Sequence, residues 1–224
     1  MTPTGPAAGV PGLLEPDVLL RRHVEDLAAR FAGMVSPETV ERMVFESYAA
    51  LRRTARVTAH LPVLTCRFAT ERLTALAQAK GVLAKEAPEV LFVCVHNAGR
   101  SQMAAVLLDH LAEGRVHVRS AGSMPADRVD PVVLEVLTAR GATVTDAFPK
   151  PLTDDVVRAA DVVVTMGCGD ACPVYPGKRY LDWDVADPAG QDVDGVRAVR
   201  ADVEQRVRAL LADLGVPLDR AVQG

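Results

Sequence analysis

The chain has 224 residues, of which 49% are hydrophobic and 24% charged, a composition that excludes intrinsic disorder and allows one ordinary domain with a small partner domain. The formal net charge of −4 excludes a strongly basic surface for nucleic acid or anionic lipid. No apolar run approaches the roughly eighteen residues of a membrane span, and the first residues lack a secretory signal pattern. We therefore expect a cytoplasmic protein that contacts neither membrane nor nucleic acid.

Residues 1–15 are rich in Pro and Gly, have no periodic apolar pattern, and are predicted to be a flexible leader. Residues 16–80 predict three helices, because apolar residues recur at three- and four-residue steps between helix start and stop signals. Gly33 ends the first helix, Ser36 caps the second, and Gly81 follows the third. The predicted core positions are Leu19, Leu20, Val24, Leu27, Phe31, Val40, Met43, Val44, Tyr48, Leu51, Val63, Phe68, Leu73 and Leu76. A unit this small is expected to pack on another surface.

After a linker at residues 81–88, the pattern of residues 89–224 changes to strands that alternate with helices. The apolar, β-branched runs at 89–94 and 162–166 are typical of parallel strands buried on both faces. The other predicted strands lie at 116–120, near Thr143 and at 178–181, and the predicted helices at 101–113, 130–140, 153–159 and 194–214. This alternation predicts an α/β fold with a doubly wound parallel sheet.

Cys94 closes the first predicted strand, and Arg100 and Ser101 open the helix that follows it. A loop of this length between strand and helix can turn successive backbone N–H groups inward to bind an oxyanion. The positive electrostatic field of these groups and of the helix N-terminus is expected to favour the thiolate form of the cysteine. The Arg100 guanidinium can bind two oxygens of a tetrahedral anion, and the Ser101 hydroxyl can donate to the thiolate. The candidate oxyanion-binding residues are Val95, His96, Asn97, Ala98, Gly99, Arg100 and Ser101. Cys94 is the predicted nucleophile.

Two further cysteines, Cys168 and Cys172, follow the predicted strand at 162–166, at the same carboxyl edge of the sheet as Cys94. Glycines flank Cys168 on both sides, so this loop can bring the two thiols together or separate them. The pair favours a reductase that exchanges thiols and disulfides over a hydrolase. A zinc site is not expected, because no second Cys or His pair stands at suitable spacing, and Cys66 is predicted to be a small core residue.

Residues 89 to about 215 resemble the low-molecular-weight protein tyrosine phosphatase fold, and within it the arsenate reductases coupled to thioredoxin or to mycothiol. The resemblance rests on residues 93–104, Ser120-Ala121-Gly122, residues 163–168, Cys172-Pro173 and Asp187-Pro188-Ala189-Gly190. It implies a four-stranded doubly wound parallel sheet, and residues 16–80 resemble a three-helix extension that some of these reductases carry. It also implies that no metal or organic cofactor is required.

The resemblance implies a role for each residue of the site. Asp187 would be the general acid, with Asp182 and Asp184 as nearby alternatives. Cys94 would attack arsenate held by Arg100, and Cys168 would then attack Cys94, so that arsenite leaves and a disulfide remains. Cys172 would then attack Cys168, which frees Cys94 and leaves a Cys168–Cys172 disulfide that thioredoxin would reduce.

Alternative readings concern the electron donor and the reaction. A relative coupled to mycothiol and mycoredoxin would form a mixed adduct at Cys94 and dispense with the Cys168–Cys172 pair. A tyrosine phosphatase would usually place an aromatic residue after Asp-Pro, where this chain has Ala189-Gly190. Three features depart from the reductases. Gly99 stands where some members have a cysteine, and Ala105 where some have a glutamate that helps bind potassium. The Cys168–Cys172 spacing is also shorter than in the best-known members, which leaves the electron donor open.

The predicted helical domain could belong to a DNA-binding sensor, because residues 16–80 hold nine Arg and one Lys against seven Asp and Glu. That excess is small and spread around the helices, which disfavours DNA binding. We expect these helices instead to form a homodimer or to pack over the catalytic domain.

Overall fold

The structure is a computed structural model of the full chain and describes residues 16–139, 141–144, 147–167 and 172–217. Its helices are α1 (Pro16–Arg30), α2 (Pro37–Arg52), α3 (Leu61–Ala79), α4 (Arg100–Ala112), α5 (Pro131–Thr138), α6 (Asp154–Ala159) and α7 (Val193–Asp213). Its strands are β1 (Glu89–Cys94), β2 (His117–Gly122), β3 (Val162–Met166) and β4 (Arg179–Asp182). Within these ranges, no helix has both the length and the apolar character needed to cross a membrane. The leader predicted at 1–15 lies outside the described residues.

The four strands form one parallel sheet, as predicted, and their order in the sheet is β2-β1-β3-β4. The chain crosses from β1 to β2 on one side and then returns past β1 to β3, so the strand order reverses at β1. In doubly wound sheets, ligands bind where the order reverses, beyond the carboxyl ends of the strands. Cys94 lies at that place, paired with Gly122 of β2 and with Met166 of β3.

The strand predicted near Thr143 is absent from residues 141–144, and that prediction is wrong. Val144 satisfies its apolar character by packing against the core without strand pairing. The chain instead meets the sheet later, where Pro151 forms an isolated parallel bridge with Gly122 at the end of β2. Gly122 donates to the carbonyl of Lys150 at 2.8 Å and accepts from Leu152 at 2.9 Å.

The two faces of the sheet pack against different helices. Alternate residues of β1 divide between the faces, so that Phe92 and Cys94 join a core with α4 and α7. Leu91 and Val93 join a second core on the other face, which holds α6 and Ala75 of α3. The helical domain therefore contributes to the core of the sheet domain itself.

The helical domain also has a core of its own, with Leu20, Phe31, Val44 and Leu73 among its buried residues. The prediction that Val63 faces this core is wrong, because its side chain is 58% exposed. The buried residues of α3 include Leu61, Thr65, Phe68, Ala69, Arg72 and Leu73, which lie on one side of the helix. Val63 lies between the first two of them, on the opposite side of the helix.

Buried ion pairs join the helical domain to the sheet domain. Arg72 of α3 donates from Nε to both carboxylate oxygens of Asp155 at 3.3 and 3.2 Å, and the two side chains are 9% and 10% exposed. Glu71 of α3 pairs with Lys150 at 3.0 Å. The helices thus pack on the sheet domain, as expected. The homodimer stays a prediction, and a measurement of the molar mass of the full chain in solution would test it.

Candidate active site

The loop between β1 and α4 is hydrogen-bonded through its backbone to the loop of residues 123–130. The carbonyl oxygens of Val95, His96 and Ala98 accept backbone N–H bonds from that loop at 2.8, 2.9 and 2.9 Å. Because these carbonyl groups are bonded on the outer side, the amide groups of the loop can face the inside of the curl. This bonding pattern is compatible with an oxyanion-binding nest, and oxyanion binding by the loop stays a prediction.

The Cys94 thiol lies inside this curl and is only 2% exposed. Its Sγ is 3.2 Å from the backbone nitrogen of Asn97, which donates to it, and 2.9 Å from Ser101 Oγ. Since Asn97 Nδ2 donates to Ser101 Oγ at 2.8 Å, the hydroxyl hydrogen of Ser101 is left to donate to the sulfur. Two hydrogen-bond donors and the N-terminus of α4 therefore face the Cys94 sulfur.

Asn97 is buried and has a left-handed backbone conformation with φ of 48°. Its Oδ1 accepts from the backbone nitrogen of Lys150 at 2.8 Å and from Gln102 Nε2 at 3.1 Å. The Lys150 backbone group can only donate, so it fixes the amide of Asn97 with the oxygen toward Lys150 and the nitrogen toward Ser101. Sequence reasoning missed Gln102 and Lys150, and only Gln102 lies close to the motif in sequence.

Arg100, the first residue of α4, lies at the mouth of the loop with a side chain that is 14% exposed. Gly167, just after β3, provides room for it, because a Cβ there would lie 2.9 Å from Arg100 Nη1. Gly167 also has a φ of +68°, which favours glycine. The carboxyl end of β3 thus leaves space for the guanidinium beside the nucleophile.

Among the three acid candidates, the structure places Asp187 against Arg100. Arg100 Nη2 donates to Asp187 Oδ2 at 3.0 Å, and Asp187 Oδ1 accepts from the backbone of Ala189. The Asp182 carboxylate instead accepts from Thr165 Oγ1 at 2.6 Å, and Asp184 accepts from an arginine of α7 through its carbonyl group. The position of Asp187 at the mouth of the loop fits a general acid, and this role stays a prediction.

The loop that carries Asp187 lies directly on the oxyanion loop. A Cβ at Gly99 would lie 2.7 Å from Pro188 Cγ, so glycine is required for this contact. The cavity between the two loops has a volume of about 40 Å³. Its lining residues are Cys94, His96, Ala98, Gly99, Arg100, Asp130, Asp187, Pro188 and Ala189. Its size is that of a small inorganic ligand, and none of the described residues that line it is Phe, Tyr or Trp.

Cys172 is 9% exposed and packs in the core on the opposite face of the sheet from Cys94, near Val163 and Tyr180. Burial, and after it the charge of Cys172, raises the pKa of Tyr180. Cys168 lies outside the described residues. Cys172, the last thiol of the predicted relay, is thus held in an apolar core, and the relay itself stays a prediction.

The remaining candidates have less bearing on chemistry. Cys66 is half-buried in α3 against the helical core, and burial raises the pKa of its thiol, which makes it a poor nucleophile. Within the described part of the chain, no three His, Cys, Asp or Glu side chains are placed to hold a metal ion. Ala105 borders a separate cavity of about 250 Å³ that Glu71 and Lys150 also line.

Comparison with known families matches both parts of the chain. The family described as low molecular weight phosphotyrosine protein phosphatase matches residues 89–220. The family described as protein-tyrosine-phosphatase-like, N-terminal domain, matches residues 20–77. The two matches fall on the sheet domain and on the helical domain.

Similar proteins are named arsenate reductases. The solved structure of a Corynebacterium glutamicum thioredoxin-dependent arsenate reductase is 51% identical, with a TM-score of 0.82, over 88% of this chain and 97% of that one. A putative arsenate reductase of Halobacterium salinarum is 37% identical over 121 residues, 52% of this chain and 85% of that protein. A glutaredoxin arsenate reductase of Synechocystis is 32% identical over 129 residues, 56% of this chain and 98% of that protein.

Proposed function

Because the chain belongs to the low molecular weight phosphotyrosine protein phosphatase family, we propose that it is an arsenate reductase of this family that thioredoxin re-reduces. The observation that carries the proposal is the small cavity in which Cys94, Arg100 and Asp187 meet. The similarity to the Corynebacterium glutamicum reductase supports it, because that similarity includes the helical domain as well as the sheet domain. The Cys168–Cys172 pair, which a hydrolase would not need, supports the redox chemistry.

In the first step, the Cys94 thiolate attacks the arsenic atom of arsenate. The backbone N–H groups of the loop and the Arg100 guanidinium hold the remaining oxygens. One As–O bond breaks as the S–As bond forms, and Asp187 protonates the departing oxygen, which leaves as water. The product is a covalent adduct between Cys94 sulfur and arsenic(V).

In the second step, Cys168 attacks the sulfur of Cys94. The electron pair of the S–As bond passes to arsenic, which leaves as arsenite, and the two cysteines form a disulfide. Arsenic gains two electrons, and the two thiols lose them. Cys172 then attacks Cys168, so that Cys94 becomes a thiolate again and the disulfide joins Cys168 to Cys172.

This last step requires Cys172 to leave the apolar core where its side chain is buried. The resulting disulfide would join two residues that follow β3 in the sequence, and thioredoxin would attack it. The two electrons supplied by the thioredoxin dithiol restore both thiols and close the cycle.

The test is steady-state arsenate reduction coupled to thioredoxin and thioredoxin reductase, with wild type and the variants C94S, C168S and C172S. We expect turnover by wild type and none by the three variants. Turnover of wild type and C168S with mycothiol and mycoredoxin alone would assign the other electron donor. If neither system reduces arsenate, the proposed function is wrong.

A phosphatase reaction is the competing use of the same loop, since phosphate and arsenate have nearly the same shape. Ala189 stands where an aromatic side chain would pack against a phosphotyrosine ring, which disfavours that substrate. We therefore expect slow hydrolysis of a small aryl phosphate. A kcat/KM for the aryl phosphate above that for arsenate would favour the phosphatase.

A further inference from the structure

We propose that the helical domain holds the oxyanion loop in its reactive conformation through residues 148–152, and that Lys150 is the positioning residue of this connection. The consequence for arsenate reduction rests on the proposed function, whereas the consequence for the reactivity of Cys94 does not. We call residues 148–152 the strap. It contacts the loop through its backbone and the helices through its side chains.

The backbone of the strap is bonded to the residues that shape the oxyanion loop. The Lys150 nitrogen donates to Asn97 Oδ1 at 2.8 Å, and the Phe148 carbonyl accepts from Gln102 Nε2 at 2.8 Å. The Lys150 carbonyl accepts from Gly122, which in turn lies against the loop, since a Cβ there would be 2.7 Å from the carbonyl oxygen of Val95. A shift of the strap would therefore move the Asn97 side chain and the base of the loop.

The side chain of Phe148 fixes the strap to the helices. It is 8% exposed and packs in a cluster with Leu51, Leu61 and Phe68, all of which belong to α2 or α3. This cluster contains no residue of the sheet. The position of Phe148 therefore depends on the helical domain.

The side chain of Lys150 supplies the second fixed point. Its Nζ donates to both carboxylate oxygens of Glu71 at 3.0 Å and lies 5.0 Å from the centre of the Phe148 ring. The Lys150 side chain is only 9% exposed, while that of Glu71 is 31% exposed. A buried ammonium needs its counterion, so loss of the Glu71 charge would displace Lys150 toward water and pull on the strap.

A chain of hydrogen bonds connects this point to the nucleophile. Lys150 orients Asn97, Asn97 Nδ2 donates to Ser101 Oγ, and Ser101 Oγ lies 2.9 Å from Cys94 Sγ. When Asn97 loses its orientation, Ser101 no longer directs its hydrogen to the sulfur, and the nucleophile loses one of its two hydrogen-bond donors. The helical domain thus acts on chemistry that occurs entirely within the sheet domain.

The Arg72–Asp155 pair provides a matched control. It also joins α3 to the sheet domain and is more deeply buried than the Glu71–Lys150 pair. Among the described residues, this pair also bonds to Ser47 and Glu46 of α2 and to Thr153 just before α6, none of which belongs to the oxyanion loop. D155N should therefore destabilise the domain contact more than E71Q, and disturb the loop less.

The experiment measures the rate at which iodoacetamide alkylates Cys94 in the full chain between pH 5 and 9, by mass spectrometry of the peptide that contains it. We expect E71Q and K150M to slow alkylation at neutral pH by about threefold or more, a coupling typical of packed networks. The double variant should be no slower than K150M, because Glu71 acts through Lys150. D155N should have the lowest urea midpoint and an unchanged alkylation profile.

The proposal is overturned if E71Q and K150M leave the alkylation profile unchanged, or if D155N changes it as much as they do. A lower urea midpoint for E71Q with unchanged alkylation would mean that the ion pair serves stability alone. The result does not depend on arsenate. A wild-type enzyme that fails to reduce arsenate but shows the expected alkylation differences would therefore overturn the proposed function and leave this inference intact.

Discussion

The two ends of β1 differ in how the chain balances charge. At the amino end, a buried carboxylate is paired with basic side chains, whereas at the carboxyl end hydrogen-bond donors surround a cavity that has room for an anion. Glu89 is 1% exposed and pairs with Arg119 at 2.8 Å and with His117 at 3.2 Å. Cys94, five residues later, receives hydrogen bonds from neutral groups, and the nearby Arg100 pairs, among the described residues, with a half-exposed Asp187. A cation that is paired at the surface can exchange its partner for a ligand, while one paired inside cannot.

The two ends of β1 therefore have different roles, one in the stability of the fold and one in the chemistry of the site. Burial raises the pKa of Glu89, but the hydrogen bonds and charges of His117 and Arg119 outweigh burial and hold the pKa at about 2. The amino end of β1 therefore stabilises the fold at neutral pH. Changes at the carboxyl end should affect reactivity instead, and the predictions below test this division, beginning with the largest effect on activity.

Replacing the nucleophile should abolish arsenate reduction. C94S removes the thiolate that forms the S–As bond, so the rate of arsenite formation should fall to the background without enzyme. C66S is the matched control, because Cys66 lies in α3 and should leave the rate unchanged. Arsenite formed by C94S at a rate near that of wild type would place the nucleophile elsewhere.

Replacing the arginine of the loop should leave the fold intact and weaken oxyanion binding. R100K keeps the charge but loses the planar pair of donors, so kcat/KM for arsenate should fall by about 100-fold. R197K is the control, since Arg197 pairs with Asp194 at the surface of α7. Equal kcat/KM values for R100K and wild type would show that Arg100 does not bind the substrate.

A methyl group at Gly99 should disturb the acid loop. In G99A the new Cβ would meet Pro188 Cγ at 2.7 Å, so the segment with Asp187 must move, and kcat should fall by about tenfold. The double variant G99A/P188A removes the colliding atom and should recover most of the loss. If the double variant is no better than G99A, the collision with Pro188 is not the cause.

Removing the charge at the other end of β1 should have the smallest effect on activity. A carboxyl group whose pKa lies below its ordinary value of 4.5 stabilises the fold above that pH, and this stabilisation is lost as the pH falls toward 2. Wild type should thus lose on the order of 3 kcal/mol more than E89Q between these two pH values, as measured by urea unfolding. We expect kcat of E89Q at pH 7 to remain within about twofold of wild type.

The sequence predicts the parts of the molecule that depend on neighbouring residues. The alternation of strands and helices and the loop from Cys94 to Ser101 follow from short-range patterns, which correctly predict a parallel sheet. The number of four strands comes from the family resemblance, since the patterns alone predict a fifth strand near Thr143. The strand predicted near Thr143 is absent, because Val144 is buried by packing against the core and not by strand pairing. Periodicity also placed Val63 in the core, although it lies on the exposed side of α3.

The contacts that hold the loop could not be predicted, because they join residues far apart in sequence. Lys150 lies 53 positions from Asn97 and 79 from Glu71, and no local pattern connects the three. A lysine beside prolines is typical of a solvated turn. Only the fold shows that its backbone is bonded to the oxyanion loop while its ammonium group is bonded to the helical domain.

The most direct test of the central claim is a single-turnover experiment with the fully reduced chain, arsenate and no external reductant. Our account predicts a burst of arsenite stoichiometric with enzyme, and a disulfide between Cys168 and Cys172 in the product, as identified by mass spectrometry. C168S should give no burst. A wild-type chain that forms no arsenite under these conditions, with all its thiols still reduced, would contradict the account.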